Sequence, residues 1–97
     1  MLDQRVVEAI SDVAAAKRER RSFTRREISL PGDVLVEVFI MLSIVFVRAT
    51  STKGEVLSKR FIDELRAEGE REGSFVETGG QQLASVREFS LIPTFRK

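Results

Sequence analysis

The stretch Lys17–Ile28, KRERRSFTRREI, concentrates the side chains best suited to contact with a charged partner. Six of its residues are basic, Lys17, Arg18, Arg20, Arg21, Arg25 and Arg26, and only Glu19 and Glu27 oppose them. Arginine and lysine neutralise phosphates and release their counterions, so local clustering matters more than net charge. The stretch therefore predicts contact with a nucleic acid backbone. Arg48 and Lys53 join it as candidate contacts, with Arg96 and Lys97 as basic outliers. Phe23, set among the arginines, could stack on an unpaired base. Two features dilute the patch. Helical spacing spreads Lys17, Arg18, Arg20 and Arg21 over more than half a circumference, and Glu19 and Glu27 lie within it.

Catalytic chemistry has much less to draw on. The chain has no cysteine and no histidine, which excludes disulfides, thiolate nucleophiles, Cys/His metal sites and a histidine triad. General acid–base work would fall to carboxylates or lysine. Glu68, Glu70 and Glu72 have the composition of a hard-cation site, but a solvated helix end explains them better. ETGGQQ at 77–82 has paired glycines without phosphate-loop spacing and reads as a turn. The expectation is a non-enzymatic protein without metal or cofactor.

The charge balance agrees with a local rather than a global electrostatic role. Sixteen basic and fifteen acidic residues leave a net charge of +1, so no whole-molecule attraction to polyanions exists. The lack of cysteine fits a reducing compartment, and a cytoplasmic location is expected. The N-terminus lacks the continuous apolar core of a signal peptide. The apolar run VLVEVFIMLSIVFV, 34–47, is shorter than the about 20 residues a membrane helix needs, and it contains Glu37. It reads as protein core, with no membrane insertion.

The elements that must position the basic residues follow from periodicity. Leu2, Val6, Ile10, Val13 and Ala16 fall at helical steps. Acidic residues early and basic residues late suit the dipole of this helix, so Lys17 to Arg21 can be its C-terminal turn. In SFTRREISLPGD two signals compete. Thr24 and Glu27 make a capping box flanked by Phe23 and Ile28, whereas Pro31 pushes Leu30 out of helical space. A strand ending at Leu30 is preferred, followed by a turn centred on Pro31 and Gly32. The β-branched run after it favours strands, although 33–42 also fits a short buried helix. Both of its faces are apolar, so helices or a partner subunit should cover both.

A second helix is expected from a capping box at Thr52 and Glu55, with Leu57, Phe61 and Leu65 on one face and Gly69 or Gly73 at its end. Glu55 with Lys59 and Arg60 with Glu64 are helix-spaced ion pairs, and the late glutamates should fray the last turn. The tail reads as β structure: SFVET, then GG, then QQLASV as a hairpin. Phe89, Leu91, Pro93 and Phe95 alternate onto one face, and Pro93 marks an edge strand or a strand end.

Together these readings predict one small α+β domain over residues 1–97, with two amphipathic helices packed on a largely antiparallel sheet. A winged-helix reading fails because its recognition helix, 33–42, would offer almost no polar side chains to DNA. The leading expectation is a homodimeric module that binds nucleic acid backbone through Lys17, Arg18, Arg20, Arg21, Arg25, Arg26, Arg48 and Lys53. The alternative is a protein–protein assembly subunit in which these cations are dispensable.

Overall fold

The computed structural model describes residues 1–78 and 84–95. Helix α1 spans Gln4–Arg18, strands β1, β2 and β3 span Arg26–Leu30, Val34–Met41 and Ile44–Ser51, helix α2 spans Lys59–Glu72, and strands β4 and β5 span Gly73–Glu77 and Val86–Pro93. The strands form one antiparallel sheet in the order β1-β2-β3-β5-β4. Both helices pack on the same face of it. The α+β expectation of two helices on an antiparallel sheet is met.

The first helix forms where its apolar spacing places it. The Asp3 carboxylate caps it by accepting from the Arg5 backbone N–H at 2.9 Å. Val6, Ile10 and Val13 are fully buried against Val36, Val38, Val45 and Val47 of the sheet. The helix closes with two backbone bonds, Arg20 N–H to the Lys17 carbonyl and Arg21 N–H to the Ala16 carbonyl. This is the Schellman pattern, whose left-handed position usually holds glycine and here holds Arg20 at φ 56°. Arg20 and Arg21 therefore lie just past the helix rather than in its last turn.

The competing signals in 22–33 resolve in favour of the strand. Arg26–Leu30 pairs with Val38–Val34 in antiparallel register, and Thr24 caps nothing helical. Pro31, Gly32 and Asp33 form a three-residue loop, with Gly32 at φ 85° and Asp33 at φ 61°. Gly32 supplies the left-handed backbone that the turn demands. Within 33–42, residues 34–41 are strand and not helix, because the partners on either side complete a ladder that the apolar run alone leaves undecided. Leu42 and Ser43, at φ 52° and 64°, make the tight turn into β3, the sign pattern of a type I′ hairpin.

The start of α2 corrects the sequence reading. Thr52 and Glu55 do not form a capping box. The Thr52 hydroxyl donates to the Asp33 carbonyl at 3.0 Å, and the Glu55 N–H donates to Ser51 Oγ at 3.0 Å. Both groups tie down the end of the β2–β3 hairpin. The helix cap lies six residues later, where Ser58 Oγ accepts from the Phe61 N–H at 3.1 Å. Glu55 is thus outside the helix, and Lys59 pairs with Asp63 at 2.7 Å instead. Glu64 takes the terminal amine of Met1 at 2.7 Å. Gly73 ends the helix, as expected.

Gly69 lets α2 approach the sheet. A Cβ built there would lie 2.3 Å from the Phe75 ring, and Phe75 stacks on Phe89 at 4.8 Å between centroids. The strand predicted at SFVET is β4, while residues 79–83 of the following turn and hairpin lie outside the described residues. β5 is an interior strand, so Pro93 marks a strand end rather than an edge. Phe89, Leu91 and Pro93 do share the buried face, but Phe95 lies past the strand and is exposed.

Candidate functional site

Side chains alternate across the sheet, so register assigns every strand residue to one of two faces. Val36, Val38, Val45, Val47, Phe89 and Leu91 point to the helices. The opposite face has no element over it among the described residues. It carries Leu35, Glu37, Phe39 and Met41 from β2, and Ile44, Phe46, Arg48 and Thr50 from β3. Val86, Glu88, Ser90 and Ile92 of β5 and Ser74 and Val76 of β4 continue it.

The centre of this open face is a network of ions. Arg48 Nε donates to Glu37 Oε1 at 2.9 Å, and Arg25 donates to the other Glu37 oxygen. Arg48 also reaches Glu88 at 3.5 Å. A carboxylate inside an apolar strand is tolerable only when paired, and Glu37 is paired twice. The Arg48 guanidinium holds the Glu37 carboxyl below the usual range for glutamate; burial opposes this, and Arg25 adds to it. Arg25 lies 4.3 Å and Arg48 5.3 Å from the centroid of Phe39, so the two guanidiniums roof that ring. Phe39 in turn stacks on Phe46 at 5.5 Å.

At the end nearest the β2–β3 turn the ions give way to bare apolar side chains. Met41, Ile44 and Ile92 lie in one row across three adjacent strands, with Val76 in the row behind. All four are exposed, Ile92 to 67%, and Leu42 at the turn stands 88% in solvent. Among the described residues these five make up most of the exposed large apolar side chains, and they gather at one end of the sheet. Sequence reasoning missed this strip, since alternation cannot say which face a helix will leave uncovered.

The eight cations predicted to hold nucleic acid do not share a surface. Arg18 is turned inward: its Nε donates to the Thr94 carbonyl at 2.6 Å, and its Nη2 to the Glu72 carbonyl at 2.7 Å and to the Glu72 carboxylate at 3.0 Å. Arg25 and Arg48 belong to the open face, whereas Arg26 turns to Asp12 on α1 at 2.7 Å. Lys53 pairs with Asp33 at 3.2 Å at the far end of the β2–β3 hairpin. Lys17, Arg20 and Arg21 line a common cleft of about 350 Å³ with Ile40 and Ser43, and Arg21 also pairs with Glu19 at 2.8 Å. Phe23 packs half-buried against the core with Arg26 over its ring at 5.2 Å, which occupies the face offered to a base. Arg96 and Lys97 lie outside the described residues.

A second paired cluster joins Arg66 in the middle of α2 to Glu77 of β4 and Arg87 of β5. Arg87 Nη2 donates to Glu77 at 2.7 Å, with Arg66 at 3.5 Å, and the Arg87 guanidinium lowers the Glu77 pKa against the effect of burial. Glu68, Glu70 and Glu72 do not converge, for Glu68 meets Arg71 at 4.0 Å and Glu72 holds Arg18. Among the described residues no group of three carboxylates is placed to hold a metal ion. No helix among them is long and apolar enough to cross a membrane. Comparison with protein-family models, with curated proteins and with solved structures finds no match for this chain.

Proposed function

We propose that this chain is a non-enzymatic protein-assembly module that docks through the open face of its sheet. The observation that carries this reading is the strip of Met41, Ile44, Ile92 and Val76, exposed on a face with no helix over it. Apolar contiguity of this kind marks interaction surfaces. The arginines support the same reading by their partners. Arg18, Arg25, Arg26 and Arg48 are engaged with carboxylates of this chain, and a phosphate would have to displace those. A cytoplasmic setting belongs to this proposal, since a cysteine-free surface suits a reducing compartment.

The second reading, backbone contact with nucleic acid, rests on the cleft of Lys17, Arg20 and Arg21. A titration of labelled single- and double-stranded DNA and RNA at low salt separates the two. The assembly reading expects no salt-sensitive binding. Binding that weakens steeply with salt, and that is lost on Lys17→Glu with Arg20→Glu, would overturn it in favour of the nucleic acid module.

A further inference from the structure

We infer that the occupant of the open face is a second copy of this chain, related by a two-fold axis that runs parallel to the strands between β3 and β5. This rests on the assembly reading and names its partner. The argument starts from register. On the open face Phe46 lies beside Ser90 and Arg48 beside Glu88, and the same ladder continued sets Ile44 beside Ile92. Further out, Phe39 lies beside Phe46, and Ser90 beside Val76.

An axis along the strands exchanges left and right but keeps each row at its own height. β3 then faces β5 of the other copy, and β2 faces its β4. Ile44 meets the partner's Ile92, and the bulky Phe46 meets the small side chain of the partner's Ser90. Arg48 meets the partner's Glu88, and the reverse pair forms by symmetry. The face is therefore complementary to itself in size and in charge. An in-plane axis across the middle of the strands lacks this property, because it lays Ile44 over the partner's Thr50 and Phe46 over the partner's Arg48.

Charge also argues against a strongly charged occupant. The open face carries Arg25 and Arg48 against Glu27, Glu37 and Glu88, a mixed surface that favours neither a polyanion nor a polycation. The area is adequate. Three overlapping strands about 27 Å long and the shorter β4, about 4.8 Å apart, give a flat footprint of roughly 470 Å². Side-chain relief raises this towards the roughly 800 Å² per partner of a standard interface. Two twisted sheets packed about 10 Å apart at about 30° would bring the rows into contact in this way.

Sedimentation equilibrium of the full chain over a wide concentration range tests the proposal. A reversible dimer is expected, with Ile92→Glu raising its dissociation constant at least tenfold while the melting temperature of the monomer stays unchanged, because Ile92 is exposed. The absence of cysteine allows a geometric test. Ile44→Cys mixed with Ile92→Cys should give a mixed disulfide dimer on oxidation, and Glu8→Cys, exposed on α1, should not cross-link. Dimers that survive Ile92→Glu or cross-link through position 8 would overturn the interface. Cross-linking of Ile44→Cys only to itself would overturn the axis. A monomer at every concentration would remove the second copy as occupant, and flotation of that monomer with phosphatidylglycerol vesicles would give the face to lipid. The assembly reading itself is judged by the nucleic acid titration, so the two failures are distinguishable.

Discussion

Arg18 Nη2 lies 2.7 Å from the carbonyl oxygen of Glu72 and 3.0 Å from its carboxylate, so the end of α1 is bound to the end of α2. The same guanidinium reaches the Thr94 carbonyl at 2.6 Å, just beyond β5. One side chain thus joins three elements where their backbones stop. A cation at the α2 C-terminus meets carbonyls left without intrahelical partners, and it offsets the late glutamates expected to fray that turn.

Arg18→Ala should destabilise the fold by about 1–3 kcal/mol, the range for losing charge-assisted hydrogen bonds. Arg18→Lys should recover only part, because one ammonium cannot match the fork that serves both residues. Urea unfolding followed by circular dichroism measures both. If Arg18 instead served a nucleic acid, its removal would leave the urea midpoint unmoved.

Arg20→Gly should stabilise the protein by about 1 kcal/mol. Arg20 occupies the left-handed position of the Schellman turn at φ 56°, a conformation that disfavours residues with a Cβ. The rise in thermal midpoint is the readout. A fall would mean that the Arg20 side chain makes a stabilising contact in the cleft it shares with Lys17 and Ser43.

Acid should loosen the sheet. The folded-state pKa values of Glu37 and Glu77 are depressed, by Arg48 and by Arg87 foremost. A depressed folded pKa adds stability that is complete above the unfolded glutamate value of about 4.3 and is lost as pH falls through the lower folded value. Stability should therefore be level near neutrality and decline below about pH 4. Glu37→Gln should lower stability at pH 7 and flatten that acid decline, in paired melts at pH 7 and pH 3.

Gly69→Ala tests the packing of α2 on β4. Helix propensity alone would make alanine better by about 1 kcal/mol. The added methyl would overlap the Phe75 ring, 2.3 Å away, and overpacking a core costs about 1–3 kcal/mol. Net destabilisation of about 1 kcal/mol is expected, with Phe75→Leu on the same background restoring part of it. A neutral or stabilising Gly69→Ala would show that α2 shifts freely over the sheet.

Local pattern determined a good part of this protein. The absence of cysteine and histidine bounded its chemistry, helical spacing placed α1, and Pro31 with the β-branched residues placed β1 and β3, while 33–42 stayed open between strand and helix. These are properties of neighbours, and neighbours are what a sequence displays. The start of α2 was less legible, because Thr52 and Ser51 spend their oxygens on the hairpin end, leaving Ser58 as the cap. Only the tertiary structure decided which arginines are engaged. Arg18 finds its partner at Glu72, Arg26 at Asp12, and Arg25 and Arg48 both at Glu37. Glu37 had shown one readable sign, a charge inside an apolar run that requires partners once buried. Which sheet face stays open is likewise a tertiary outcome. β2 and β3 are apolar on both sides, and the two helices are laid on one. A charge can be counted along the chain, but its neutralisation depends on distance, and folding sets the distances.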